Sequence, residues 1–205
     1  TPGDFHHRYT DAVEDRPDDG LAWYLRGRAL IADREEAKRC LDRSIELEPN
    51  RPWAYVGLAY LHYARGDLFS AVELYEQTTA RLPRSRALRL AAANQYIELR
   101  LLVQAQRHLQ VGLRLAEDDP ELQAAMGKTQ IGLGNDAGAL RWLEGALATE
   151  PRMADAYLPL ALLYLRNGRG ADADQAYRKA LRLGQEEDAA LATSIRVALL
   201  TTSTR

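Results

Sequence analysis

The sequence predicts an all-α fold made of repeated helix hairpins, and three observations support this prediction. Ala and Leu each occur 33 times among 205 residues. Both are strong helix formers, whereas Val, Ile, Phe and Trp, which favour strands, are sparse. Alanine also recurs at a fixed step along the chain, and Gly and Pro punctuate the same period. The hydrophobic fraction of 46% is sufficient to build a core, so a wholly disordered chain is excluded.

The repeat has a period of 34 residues. Its register is set by Ala37, Ala71, Ala105, Ala139 and Ala173. Larger apolar residues follow each alanine by four positions: Leu41, Tyr75, Leu109, Leu143 and Tyr177. Small residues follow it by seven positions, at Ser44, Thr78, Gly112, Ala146 and Ala180, and precede it by twelve, at Ala59, Ala93, Gly127 and Ala161. Offsets of four and seven share one helical face, so each alanine starts the buried stripe of a helix that packs closely on the preceding one.

Turn residues divide each period into two helices. Gly66-Asp67, Gly134-Asn135 and Gly168-Arg169 are typical of a helix end followed by a new start. Pro49, Pro83 and Pro151 stop the second helix because proline cannot continue its hydrogen-bond ladder. In chain order, we predict helices at 4–15, 20–31, 34–47, 52–64, 68–81, 86–98, 102–115, 120–132, 136–149, 154–166, 170–183 and 188–200, with 201–205 frayed.

Two repeats depart from the pattern. In the first repeat, Gly27 precedes Ala37 by only ten residues, so its turn is two residues short. In the third repeat, Arg100 stands where other repeats have Gly, and Glu117 stands where Pro is expected. The repeat pattern therefore does not specify the local geometry at these two places.

The pattern resembles the tetratricopeptide repeat (TPR) family. The resemblance is carried by Ala22 through Leu30, which is similar to the family's first-helix signature, and by Arg34 through Asn50, which is similar to its second helix and closing turn. It implies a right-handed superhelical solenoid occupying 1–205 as a single domain. The predicted parts are a half repeat at 4–15, repeats at 20–51, 52–85, 86–119, 120–153 and 154–187, and a capping helix at 188–200.

The sequence offers little support for catalysis or for a cofactor. Cys40 is the single cysteine and is expected to be a buried, inert side chain. Adjacent His6 and His7 point to different helix faces, which excludes a two-ligand metal site. We expect His62 in the core and His108 on the surface. No phosphate-binding loop and no nucleophile–base pair is found, so we predict neither an enzyme nor a cofactor.

Charge is distributed unevenly along a chain of net charge −2. Residues 81–114 contain seven Arg against the one acid Glu98. Arg107 and Arg114 are seven apart on a second helix, and a solvated outer face is the simplest interpretation. RNA binding by this basic face is kept as an alternative.

The family resemblance places the first helices on the concave side of the solenoid, and the register then identifies an exposed, largely apolar stripe. Such a stripe across several repeats is typical of a binding surface. The predicted groove residues are Tyr24, Arg28, Trp53, Val56, Tyr60, Tyr63, Leu90, Asn94, Ile97, Lys128, Ile131, Leu158 and Leu162. A Lys–Asn carboxylate clamp, which some family members use, is disfavoured because only Asn94 matches it.

We therefore predict a protein–protein interaction scaffold that binds a peptide or helix in this groove. The positive balance of Arg28, Asn94 and Lys128 favours an acidic-apolar partner. The alternatives are self-association through exposed terminal helices and RNA binding. The absence of an initiator Met and the Arg-rich composition suggest a piece of a larger bacterial protein. No membrane-inserting segment is predicted; we favour the cytoplasm, and the periplasm stays open.

Overall fold

A computed structural model describes Tyr9, residues 11–186 and residues 189–202 of the chain. Every regular element in this described part is helical, which confirms the predicted all-α class. The helices are α1 (Gly20–Ala29), α2 (Arg34–Leu47), α3 (Pro52–Ala64), α4 (Leu68–Arg81), α5 (Arg86–Glu98), α6 (Leu102–Leu115), α7 (Pro120–Gly132), α8 (Asp136–Thr149), α9 (Ala154–Arg166), α10 (Gly170–Arg182) and α11 (Ala189–Thr202). Before them, Tyr9 and residues 11–15 are also helical, and the rest of the predicted 4–15 segment lies outside the described residues.

The chain divides into two compact units, Thr1–Gln95 and Tyr96–Arg205, and the division falls within α5. In the first unit, α1 pairs with α2 and α3 pairs with α4 as hairpins, and α3 packs on both α1 and α2. In the second unit, α7 pairs with α8 and α9 pairs with α10, while α6 packs on α7 and α11 packs on α9 and α10. That residues 1–205 form one domain stays a prediction.

The alanine column lies at the centre of these hairpins. Ala37, Ala71, Ala105, Ala139 and Ala173 are all fully buried. The reason is visible at Gly127, where a Cβ atom would lie 2.6 Å from Leu143 Cγ and 3.4 Å from the Ala139 carbonyl oxygen. Side chains larger than these would hold the two helices of the hairpin apart, so the small columns permit the close approach that the spacing predicts.

Each first helix is tied to the preceding turn by a side-chain donor. Five donors reach the carbonyl oxygen six residues earlier: Trp23 to Pro17 at 2.8 Å, Tyr55 to Pro49 at 2.9 Å, Arg89 to Pro83 at 3.5 Å, Gln123 to Glu117 at 3.0 Å and Tyr157 to Pro151 at 2.9 Å. The residue type changes at every step from one first helix to the next, but a side-chain hydrogen-bond donor is present each time. The carbonyl accepts the bond whether or not its residue is proline, so Glu117 serves where Pro was expected.

The structure shows the local geometry at the two places that depart from the repeat pattern, and only the first of them is altered. Helix α1 ends at Ala29, two residues earlier than predicted, because Asp33 must already cap α2 by accepting a hydrogen bond from the Glu36 amide at 3.2 Å. In the third repeat, residues 86–119, Arg100 has a φ of 61°. This is close to the left-handed values of 78°, 78° and 70° at Gly66, Gly134 and Gly168. The turn therefore keeps the same backbone conformation although Arg replaces Gly.

The chain terminus gives a small correction. Helix α11 continues to Thr202, two residues beyond its predicted end at 200, and residues 203–205 lie outside the described part. Its buried stripe is Leu191 and Ile195, as the spacing predicts, with Leu199 packed partly against the same core.

Candidate functional site

Helix α3 presents the most aromatic part of the predicted stripe. Trp53 and Tyr60 are 43% and 51% exposed, whereas Val56 and Tyr63 are half-buried. The opposite side of the helix is closed, since Ala54, Tyr55, Leu58, Ala59 and Leu61 are buried. Two large aromatic rings thus remain partly open on the face that carries no core residue.

The neighbouring first helix α1 adds polar groups to this face. Tyr24 of α1 lines the same narrow cleft as Trp53, and the Arg28 guanidinium lies 5.8 Å from the Tyr24 ring centroid. Arg28 is exposed, so its charge is available to solvent or to a ligand. On α5, Leu90 is half-buried and Asn94 is exposed, while Ile97, half-buried, belongs to the second unit.

In the second unit, the predicted stripe is less open. Helix α7 is buried over most of its surface, and its Ala124 is only 4% exposed. The reason is that this helix packs against both α6 and α8 and also contacts α9. Lys128 lies 4.0 Å from Asp155, so its charge is partly compensated, and Ile131 packs against the core.

An apolar cavity of about 380 Å³ lies between α9 and α11. Leu158 and Leu162 line it together with Leu165 and Leu191, and Leu162 is 40% exposed. These two predicted groove residues are thus brought together in one concavity of the second unit. Helix α11, which the sequence analysis predicted as a capping helix, forms the opposite wall of the cavity.

The residues with catalytic potential occupy structural positions. Cys40 is fully buried, and burial raises the pKa of its thiol, which disfavours the reactive thiolate. His108 was expected on the surface but is only 4% exposed, because its ring packs 5.2 Å from the Tyr96 ring centroid. His62 was expected in the core but is half-buried, since its Nδ1 lies 3.1 Å from Asp67 in the exposed turn.

Hydrogen bonds from Ser70 and from His62 hold the pKa of Asp67 below its usual range. This carboxylate also accepts the Ser70 amide and so caps α4, which is a structural role. His6 and His7 lie outside the described residues. The described part of the chain contains no cluster of three or more His, Cys, Asp or Glu side chains suited to a metal ion.

The tetratricopeptide repeat family model matches residues 31–86 and 124–188, which is more than half of the chain. The chain belongs to the tetratricopeptide repeat family. No curated protein sequence matches it. Proteins of this family generally serve as protein–protein interaction scaffolds, and the fold supports that general role here.

Solved structures agree with this assignment. The TPR protein TTC0263 of Thermus thermophilus is 26% identical, with a TM-score of 0.69, covering 88% of this chain and 99% of that one. YrrB, a TPR protein with an unusual peptide-binding site, is 20% identical with a TM-score of 0.60, covering 95% of this chain and 97% of that one. The APC/C hetero-tetramer Cut9–Hcn1 contains a chain 21% identical with a TM-score of 0.79, covering 98% of this chain. This chain spans 40% of the length of that relative.

One feature of this TPR chain was missed by sequence reasoning. A cavity of about 600 Å³ lies against the second helices α6 and α8, and of its lining residues the sequence analysis had considered only Arg114 for binding, in the alternative of RNA binding. Its Trp142 is the only tryptophan on a second helix, which is a signal that the register analysis could have used. Among the described residues, no helix combines the length and apolar character that crossing a bilayer requires.

Proposed function

We propose that this TPR chain is a non-enzymatic scaffold that binds a peptide or helix of a protein partner on the open face of α1 and α3 in the first unit. The observation that carries this proposal is the exposure of Trp53 and Tyr60 on the one side of α3 that holds no core residue. Large amphipathic rings supply much contact area at low entropic cost and often dominate interface energetics. YrrB is described as having a peptide-binding site, which shows that this type of fold can bind peptides.

The chemistry of the face favours an acidic-apolar ligand. Arg28 is exposed beside Tyr24, and no ion pair is recorded for its guanidinium within the described part of the chain. A carboxylate of the ligand can therefore pair with Arg28 while an apolar side chain packs on Trp53 and Tyr60. Asn94 supplies an exposed amide on α5. Because Lys128 is partly compensated by Asp155, we assign it a smaller role.

The test begins with peptides selected on the purified chain by phage display. Trp53→Ala and Tyr60→Ala are then compared with Phe69→Ala, a matched control. Phe69 is 78% exposed in the same unit but lies on the second helix α4. We expect each stripe variant to weaken binding by about 2 kcal/mol, roughly thirtyfold, while the control retains full affinity. Loss of binding in Phe69→Ala, with both stripe variants unaffected, would contradict the proposal.

Self-association is a second candidate function, and α11 supplies its observation. Val197 and Leu200 are 55% and 70% exposed on this last helix. If α11 stacks on a second copy, Val197→Glu combined with Leu200→Glu must lower the mass measured by sedimentation. An equal mass for this variant and the parent chain at all concentrations excludes assembly through α11.

A further inference from the structure

The cavity on the second helices differs in chemistry from the apolar stripe. It lies in the second unit and is walled by α6 and α8, with Met126 and Gln130 contributed by α7. Its volume of about 600 Å³ falls in the range typical of ligand sites. None of the predicted groove residues lines it, so an inference drawn from it is independent of the function proposed above.

Two arginines give the cavity a positive character. Arg114 of α6 and Arg141 of α8 both line it, and no ion pair is recorded for either guanidinium within the described part of the chain. Glu117 is the acidic residue of the lining. Two guanidinium groups against one carboxylate leave an uncompensated charge, and guanidinium is well suited to bidentate pairing with a carboxylate.

The buried side-chain amide of Gln130 adds a hydrogen-bond donor to the cavity wall. Its orientation is set by Asn135, whose Oδ1 atom accepts a hydrogen bond from the Gly138 backbone N–H at 3.0 Å. Asn135 therefore donates through Nδ2 to Gln130 Oε1 at 2.8 Å. This orientation leaves Gln130 Nε2 at 3.7 Å from Met126 Sδ, which is a weak acceptor. Gln130 is only 6% exposed. The side chain is thus held in place while its N–H groups lack a strong acceptor among the described residues.

The cavity also offers apolar contact. Leu113 and Met126 are buried in its lining, and the half-buried indole of Trp142 belongs to α8. A ligand that carried only charge would leave this apolar area unused. The combination fits a carboxylate next to an apolar group.

We propose that this cavity binds an acidic-apolar segment of a protein partner, separately from the stripe of the first unit. A carboxylate of the segment pairs with Arg114 and Arg141, and its second oxygen or a neighbouring carbonyl accepts a hydrogen bond from Gln130. An adjacent apolar side chain rests on Leu113 and Trp142. RNA is less well matched, because a tract of phosphates requires a row of cations, whereas the lining supplies two.

The experiment uses Trp142 as a local reporter. The chain contains three tryptophans, so Trp23→Phe together with Trp53→Phe leaves the fluorescence of Trp142 alone. Two probes are titrated into this background: acetyl-Leu-Glu-Glu-Leu-amide and its neutral isostere acetyl-Leu-Gln-Gln-Leu-amide. A uridine oligonucleotide is the third probe. Arg114→Gln with Arg141→Gln tests the site, and Arg107→Gln with Arg152→Gln is a control with the same change in charge.

We expect the Glu probe to shift the Trp142 emission and to bind at least about tenfold more tightly than the Gln probe. The Arg114/Arg141 variant should lose at least that factor, whereas the Arg107/Arg152 variant stays within about twofold of the parent. Thermal melting of both variants must match the parent, since all four side chains are exposed. Equal affinity for the two peptides, equal loss in the two variants, or tighter binding of the oligonucleotide through Arg114 and Arg141 would overturn the proposal.

Discussion

At the scale of single residues, Arg100 shows how the repeat tolerates a poor substitution. Its φ of 61° lies in the left-handed region, which costs a residue with a Cβ atom roughly 1 kcal/mol relative to glycine. The following Leu101 provides no side-chain cap for α6, whereas Asp67 and Asn135 cap α4 and α8 at the same register. The repeat at 86–119 therefore retains its turn without the left-handed glycine and without the side-chain cap that the repeats at 52–85 and 120–153 have.

We expect Arg100→Gly to raise the free energy of unfolding by about 0.5–1 kcal/mol, because glycine adopts this φ without steric cost. Chemical denaturation with urea measures the change. Gly168→Ala is the converse control and should destabilise the chain, since Gly168 has a φ of 70°. The space around Gly168 is open, so the added methyl group meets no neighbouring atom and the effect reports the backbone conformation alone. A destabilised Arg100→Gly variant would mean that the Arg side chain makes a compensating contact.

Tyr75 predicts a pH effect that can be assigned to one side chain. Burial raises the pKa of this phenol to about 12, against a usual value of about 10. Between these values the unfolded chain releases the proton and the folded chain retains it, so stability falls as the pH rises from 10 to 12. Well below pH 10 the Tyr75 phenol is protonated in both the folded and the unfolded chain, so it adds no pH dependence to the free energy of unfolding.

We expect the unfolding free energy of the parent chain to fall by about 2–3 kcal/mol more than that of Tyr75→Phe over this interval. Urea denaturation at several pH values measures both curves. Parallel curves for the two proteins would show that the Tyr75 phenol ionises equally well in both states.

At the scale of the elements, five side-chain donors hold each first helix against the preceding turn. We call them the donor column: Trp23, Tyr55, Arg89, Gln123 and Tyr157. The bond from Tyr157 to the Pro151 carbonyl, 2.9 Å long, is one of five such ties. Removing the donor leaves a carbonyl without this partner, which typically costs about 0.5–1.5 kcal/mol. The ring itself also contributes, since Lys179 Nζ lies 5.0 Å from its centroid.

Tyr157→Phe should therefore destabilise the chain by about 1 kcal/mol while keeping the ring contact with Lys179. Tyr164→Phe is the matched control, because its hydroxyl donates to Glu144 at an exposed position and should contribute less. Thermal unfolding of both variants measures the difference. If Tyr164→Phe were the more damaging change, the tie to the turn would not be what stabilises α9.

At the scale of the whole molecule, the stability of a repeat protein is approximately the sum of the packing inside each repeat and the contacts between neighbouring repeats. Ala139 is fully buried where α7 and α8 approach, so a larger side chain cannot be accommodated without separating them. We expect Ala139→Leu to destabilise by about 1–3 kcal/mol through overpacking. Ala148→Leu, at an exposed position of the same helix, should leave stability nearly unchanged.

Hydrogen exchange then shows how far the damage spreads. Because α8 packs on α7 and α9, faster amide exchange in Ala139→Leu should concentrate in these helices and spare α1 and α2. A uniform increase over all helices would instead indicate one cooperative unit.

Much of this architecture follows from the sequence alone. A fixed 34-residue step of small residues determined the helix class, the pairing and the buried columns, because close helix packing leaves no alternative residue size at those positions. The amphipathic spacing on α3 likewise predicted which residues avoid the core. The burial of Ala124 and His108 was decided by tertiary packing, since it depends on which neighbouring helices cover a given face. The donor column and the cavity at Arg114 and Arg141 also appear only in three dimensions. The donor column has no sequence signature because different residue types make the same hydrogen bond to the preceding turn. The cavity has none because its lining residues come mostly from three helices, and no local periodicity relates their positions.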